Sequence, residues 1–137
     1  MATKITATYL GNLDIESIHE PSGSKIHTTA PVDNHGRGDK FSPTDLIATA
    51  LGTCYLTLMG ISAEGHNINM KGTIATVEKF MSDDKPRRIV KLIIKVDFCP
   101  GIPFNHRGLL EAVAINCPTA KSIHPDVKVE YEFNFPD

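Results

Sequence analysis

At 137 residues, with a net charge of −2 and a sequence pI near 6.3, the chain is most simply one domain, 1–137, with a real core. No basic stripe or polybasic run exists, which argues against nucleic acid or an anionic membrane surface as the main partner. The amino terminus, MATKITATYLGN, lacks an apolar signal core, so the cytoplasm is expected.

In chain order, Thr3 to Leu10 alternates Ile5, Ala7 and Tyr9 with threonines, which predicts a first strand, and Gly11-Asn12 supplies a turn. A second strand is predicted over Leu13 to His19 and a third over Lys25 to Ala30, with Pro21-Ser22-Gly23 turning the chain between them. Together they read as an antiparallel meander. Pro31 to Phe41 (PVDNHGRGDKF) has glycines, charges and no periodicity, so it is read as a loop.

The stretch Ser42 to Gly65 then reads as one long helix. Ser42 is a good cap, Pro43 suits the first helical position, and Asp45 resembles the acid of a capping box. Gly65 is expected to close the helix in the left-handed conformation. Leu46 through Ala63 carries no charge, a length approaching that of a membrane span. Interspersed threonines and glycines and the absence of basic flanks argue instead for a helix buried inside a protein. A single small domain can hardly surround it, so a second subunit is a natural cover.

Beyond it, strands are predicted over Asn69 to Phe80, interrupted by Gly72, and over Arg88 to Phe98, with MSDDKP as the turn between them. Asn105 to Asn116 shows helical spacing at Leu109, Leu110, Val113 and Ala114. Cys117-Pro118 breaks that helix and starts a short one over Pro118 to Ile123. Val127 to Phe135 alternates as a last strand. The class is α+β with a largely antiparallel sheet. No glycine-rich phosphate loop follows a strand, so no nucleotide cofactor is expected.

Three cysteines, Cys54, Cys99 and Cys117, carry whatever thiol chemistry exists; none has zinc spacing. Cys54 shares a helical side with Ile47, Leu51, Leu58 and Ile61, the pattern of an inert core thiol, and a thiolate there would need a cation from elsewhere. Cys117 is placed to cap the short helix, where exposed amides lower a thiol's pKa; it could equally continue the apolar side of Leu110 and Val113. If the two helices pack together, the two thiols could meet as a reactive and resolving pair. Cys99 reads as structural. The six histidines show no pair at helical metal spacing, so no metal is expected. Arg37, in the loop before the helix, is either solvated or the cation that pairs with Asp45 and holds Cys54 as thiolate; Arg107 is the runner-up.

SPTDLIATALGTC, followed some sixty residues later by NCPTAKSI, resembles the OsmC/Ohr family of thiol-dependent hydroperoxide reductases, and the element order fits along essentially the whole chain. The resemblance implies an intertwined homodimer in which antiparallel β-sheets wrap long central helices, with active sites at the subunit interface. It matches the family's reactive cysteine to Cys54 and its resolving cysteine to Cys117. It also implies reduction of organic hydroperoxides or hydrogen peroxide, with electrons returned by an external dithiol. In the peroxidase members an acid directly follows the proline of the first motif and pairs with the activating arginine; this chain has Thr44 there and Asp45 one place on. The hairpin through Ala30 holds no arginine, which leaves Arg37. A different reading is a dimeric binding module that carries a small apolar ligand or senses oxidation without turnover.

Overall fold

The computed structural model describes residues 1–136 and divides into two compact units, Met1–Leu46 and a second from Ile47 onward. In the first unit β1 (Ile5–Gly11), β2 (Asp14–His19) and β3 (Ser24–Thr29) form the antiparallel meander that the period-two pattern predicts. Ala7 lies opposite Ser17, and Ser17 opposite Ile26. The sheet has little core of its own, and Ile5, Tyr9 and Ile26 are all exposed. Its best-buried residues are Thr28 and Thr29 at the end of β3.

Those threonines pin the next loop. Thr29 N–H donates to the Phe41 carbonyl and Thr28 bridges Phe41, so the segment between them leaves and returns at one place. Within it a 3₁₀ turn, Val32–Asn34, stands where only loop is expected. Gly36 is required for space: a Cβ there would lie 1.7 Å from the Ala30 carbonyl oxygen.

Helix α1 (Pro43–Gly65) begins as its sequence dictates. Ser42 Oγ accepts the Asp45 N–H at 3.1 Å while the Asp45 carboxylate accepts the Ser42 N–H at 2.9 Å, a reciprocal capping box. The far end differs from expectation. Gly65 remains inside the helix, and Asn67, at φ 56°, makes the left-handed turn, with Ile68 N–H donating to the Ala63 carbonyl. Asparagine tolerates that conformation better than other non-glycine residues.

In the second unit β4 (Ile74–Met81) and β5 (Ile89–Asp97) pair antiparallel, and β6 (Lys128–Asn134) joins β5 in parallel. With three of the four described strand pairs antiparallel, the largely antiparallel expectation holds, and β5–β6 is its parallel exception. It is possible because α2 (Phe104–Ile115) and α3 (Pro118–Ser122) provide the long crossover such strands need. Strand β4 starts later than predicted, because Gly72 at φ 94° and the Thr73 N–H to Met70 carbonyl bond make Asn69 to Thr73 a turn.

The core of this unit joins Leu51, Tyr55 and Met59 of α1 to Leu92, Ile94 and Val96 of β5, Leu110 and Ala114 of α2, and Cys117. By length and hydropathy (1.6 over its best window) α1 passes the test for a membrane span, but it is the core helix of this unit. Its buried side runs along Ala48, Leu51, Gly52, Tyr55, Met59 and Ala63. That corrects the expected stripe: Ile47 and Ile61 are exposed and Cys54 is half-buried, on the flank. A helix apolar nearly all round does not announce which side its sheet will cover. Gly52 marks the closest approach, since a Cβ there would stand 2.9 Å from Val77 Cγ2 on β4.

Candidate active site

Cys117 is fully buried and caps α3, as Pro118 behind it predicts. Its backbone is extended (φ −66°, ψ 153°), and its Sγ accepts the Ala120 N–H at 3.3 Å. From this position it meets Cys54 of α1, and its thiol donates to the Cys54 sulfur. The two helices bring together the two cysteines that the sequence left far apart. All three cysteines are free thiols.

The two sulfurs are electrostatically unlike. Burial pushes the Cys54 thiol up, but hydrogen bonds from the Thr119 hydroxyl, the Thr119 amide and the Cys117 thiol together outweigh it, and its pKa lies below the ordinary value. Burial also pushes Cys117 up; the Ala120 amide offsets part of this, but the hydrogen bond to Cys54 and the Cys54 charge keep it above the ordinary value. The expectation that the helix start would acidify Cys117 is therefore corrected. The free amides of α3's first turn are shared, and the net benefit falls on Cys54.

Thr119 is the residue that sequence reasoning missed. It stands in the first turn of a helix whose cap is a cysteine, where an amide must find an acceptor, and that was the available signal. Replacing Thr119 with valine is expected to raise the midpoint of Cys54 alkylation, read as iodoacetamide rate against pH. The sign follows from the loss of one donor to the thiolate while the amide remains. An unchanged midpoint would show that the hydroxyl contributes nothing.

Tyr55 follows Cys54 in sequence and is buried behind it, stacked on Phe133 at 6.2 Å. Burial, then the charges of Cys117, Tyr131 and Cys54, push its phenol up to about 12. It remains a neutral hydroxyl beside the thiols throughout the working range.

Arg37 and Asp45 belong to the first unit. Arg37 bonds the Asp14 and Asp39 carboxylates and donates to the Asn12 carbonyl at 2.8 Å. Thr29 and then Arg37 hold the Asp14 carboxyl below its usual range. Asp45 closes the capping box of α1. Arg107 lies over the rings of Phe135 and Phe104 and donates to the Ile102 carbonyl. Cys99 is a structural tie, its Sγ donating to the Asn69 carbonyl at 3.5 Å and its N–H to Thr73 Oγ1. Among the described residues no group of three His, Cys, Asp or Glu is set to hold a metal. Two histidines, however, do meet across the fold: the rings of His66 and His106 lie 5.0 Å apart.

A paired-thiol site on a core helix, in a fold of two three-stranded sheets, defines a recognisable class of small α+β protein. The chain belongs to the OsmC-like protein family, whose model matches residues 36–132. A solved structure from Psychrobacter arcticus 273-4, named for osmotic stress induction and a detoxification response, is 40% identical, with a TM-score of 0.91 over 98% of this chain and 97% of that one. The fold is also that of the organic hydroperoxide resistance protein OsmC of Legionella pneumophila (19% identity, TM-score 0.73, 98% and 97% covered). OhrB of Bacillus subtilis, likewise named for organic hydroperoxide resistance, shares it at 17% identity and a TM-score of 0.70, with 98% of each chain covered. No curated protein sequence matches the chain.

Proposed function

We propose that this protein reduces organic hydroperoxides, or hydrogen peroxide, through Cys54 and Cys117, as a cytoplasmic homodimer of single-domain subunits. The observation that carries the reading is the placement of Cys117, at the cap of α3, against Cys54 of α1, with the Thr119 donors lowering the Cys54 thiol and burial raising that of Cys117. A nucleophile needs to be thiolate, and a resolving thiol beside it is best kept protonated until its turn. The names of the Legionella and Bacillus proteins support the same chemistry.

In the first step the Cys54 thiolate attacks the distal peroxide oxygen. The O–O bond breaks, Cys54 becomes a sulfenic acid, and the alkoxide takes a proton from solvent to leave as alcohol. Cys117 then attacks the Cys54 sulfur; water departs and a disulfide forms. An external dithiol restores both thiols and is itself oxidised to a disulfide. Leu51, Tyr55 and Leu58 on the same helix give Cys54 an apolar neighbourhood, which favours a substrate with a hydrocarbon part over a small polar one.

The subunit partner is argued from uncovered apolar surface. Ile47 and Ile61 of α1 are 41% and 63% exposed, and the β1–β3 sheet leaves Ile5, Tyr9 and Ile26 open. Such surface is what a second copy buries.

The test treats the reduced protein with cumene hydroperoxide, looks by mass for an intramolecular Cys54–Cys117 disulfide, and then measures repeated turnover with a dithiol. No disulfide and no loss of the Cys54 thiol would put the binding module in front; a disulfide without turnover would indicate a sensor.

Arg37, with Asp45 as its expected partner, is proposed as the cation that assists the thiolate. Replacing Arg37 with alanine is then expected to depress peroxide consumption at neutral pH more than at high pH, where the thiolate forms unaided. Equal loss at both would assign Arg37 to holding its loop through Asp14.

A further inference from the structure

We propose that His66 and His106 form a two-imidazole binding site for a late divalent transition metal ion such as Zn²⁺, Ni²⁺ or Cu²⁺. His66 sits just past α1 and His106 in the first turn of α2, both in the second unit. Their ring centroids lie 5.0 Å apart, with the planes tilted by 58°. The spacing suits a shared ion. A metal at the usual imidazole bond length stands roughly 3.2 Å from each ring centre, and centroids at the observed spacing then subtend about 100°, near the tetrahedral angle.

The hydrogen bonding of the two rings points the same way. His66 Nδ1 lies 2.9 Å from the Ser62 carbonyl oxygen. A carbonyl can only accept, so Nδ1 carries the proton and Nε2 keeps its lone pair. A ring held through one nitrogen by a backbone carbonyl is the usual support of a metal-ligating histidine. His106 supplies the second signal: its Nδ1 is buried and has no hydrogen-bond partner among the described residues. Buried polar nitrogens are ordinarily satisfied, and an imidazole nitrogen in that state is open to an ion. The nearby Arg107 guanidinium is engaged over Phe135 and with the Ile102 carbonyl.

No third His, Cys, Asp or Glu completes the set among the described residues, which leaves the ion's remaining positions to water. Imidazole ligands select zinc, nickel and copper over magnesium or calcium. The site shares no residue with the thiol pair and does not depend on the peroxidase reading.

Zn²⁺ titration, followed by the side-chain ¹⁵N resonances of the histidines, tests it, because that readout ignores metal taken up by cysteines. Titrated past the equivalent that the Cys54–Cys117 pair can take, Zn²⁺ is expected to shift His66 Nε2 and His106 Nδ1 together. His66 is exposed, so His66→Ala should keep the fold; it should abolish the shift at His106 and weaken binding at the imidazoles about tenfold or more. A His106 shift that survives His66→Ala would overturn the site, as would Zn²⁺ that moves one ring alone or neither.

Discussion

Serine in place of Cys54 is expected to lower hydroperoxide consumption roughly 10³-fold or more, the scale of losing a covalent nucleophile. The hydroxyl occupies nearly the same volume but ionises far above the working range, so the donors around position 54 have no thiolate to stabilise. Because Cys54 is half-buried, the exchange should leave the fold intact, which circular dichroism and the urea midpoint can check. Cys117→Ser is expected to behave differently. It should consume one equivalent of hydroperoxide per chain and then stall as the Cys54 sulfenic acid, which dimedone traps. Consumption that persists at the wild-type rate in Cys54→Ser would remove the proposed mechanism.

Alanine at Gly36 is expected to be the most disruptive of the glycine-to-alanine changes in the first unit. The Cβ would fall 1.7 Å from the Ala30 carbonyl oxygen and 2.1 Å from its carbon, which is backbone and cannot rotate away. The loop must open, and with it go the Gly36 N–H to Pro31 and Gly38 N–H to Ala30 hydrogen bonds and the seat of Arg37 on Asp14. At a net value of roughly 1 kcal/mol for each hydrogen bond, plus the displaced packing, a loss of about 3 kcal/mol is expected. A fall in the urea midpoint and new proteolytic cleavage within residues 31–39 would report it. Gly38→Ala is the control. It has a positive φ of 68° and its one tight contact, 2.6 Å, is with Val32 Cγ2 on an exposed side chain, so its cost should be smaller, about 1 kcal/mol. A reversed order would mean that the loop is not closed over Ala30 as described.

Most of the fold is legible because its signals are local. Strand β5 reads as a strand from its β-favouring run, and Leu92, Ile94 and Val96 on one side of it are all fully buried. Proline after Cys117 fixes both the end of α2 and the cap of α3. What fails is whatever depends on a partner distant in sequence. The buried side of α1 is chosen by the sheet it packs on, and an all-round apolar helix carries no record of that choice. The pairing of β6 with β5 in parallel is a crossover property rather than a strand property. The cysteine pair is legible as a possibility from two apolar helices, but its electrostatic ordering is not, because it depends on which sulfur receives the Thr119 donors. The histidines are likewise unremarkable at their sequence spacing and meet only when α2 folds back to the end of α1.

The burial of Tyr55 makes the protein its own optical probe. The chain has no tryptophan and three tyrosines, so its near-ultraviolet absorption and emission come chiefly from phenols, one of which stands beside both reactive sulfurs. In an alkaline titration the phenolate band of Tyr55 should emerge only near pH 12. The negative charges of Cys117 and Cys54 contribute to that delay, so joining the two sulfurs removes part of it and moves the band to lower pH. Tyrosine emission should fall at the same time, since a disulfide quenches a neighbouring phenol. The oxidation state of the thiol pair can thus be followed by light, with no label and no added tryptophan.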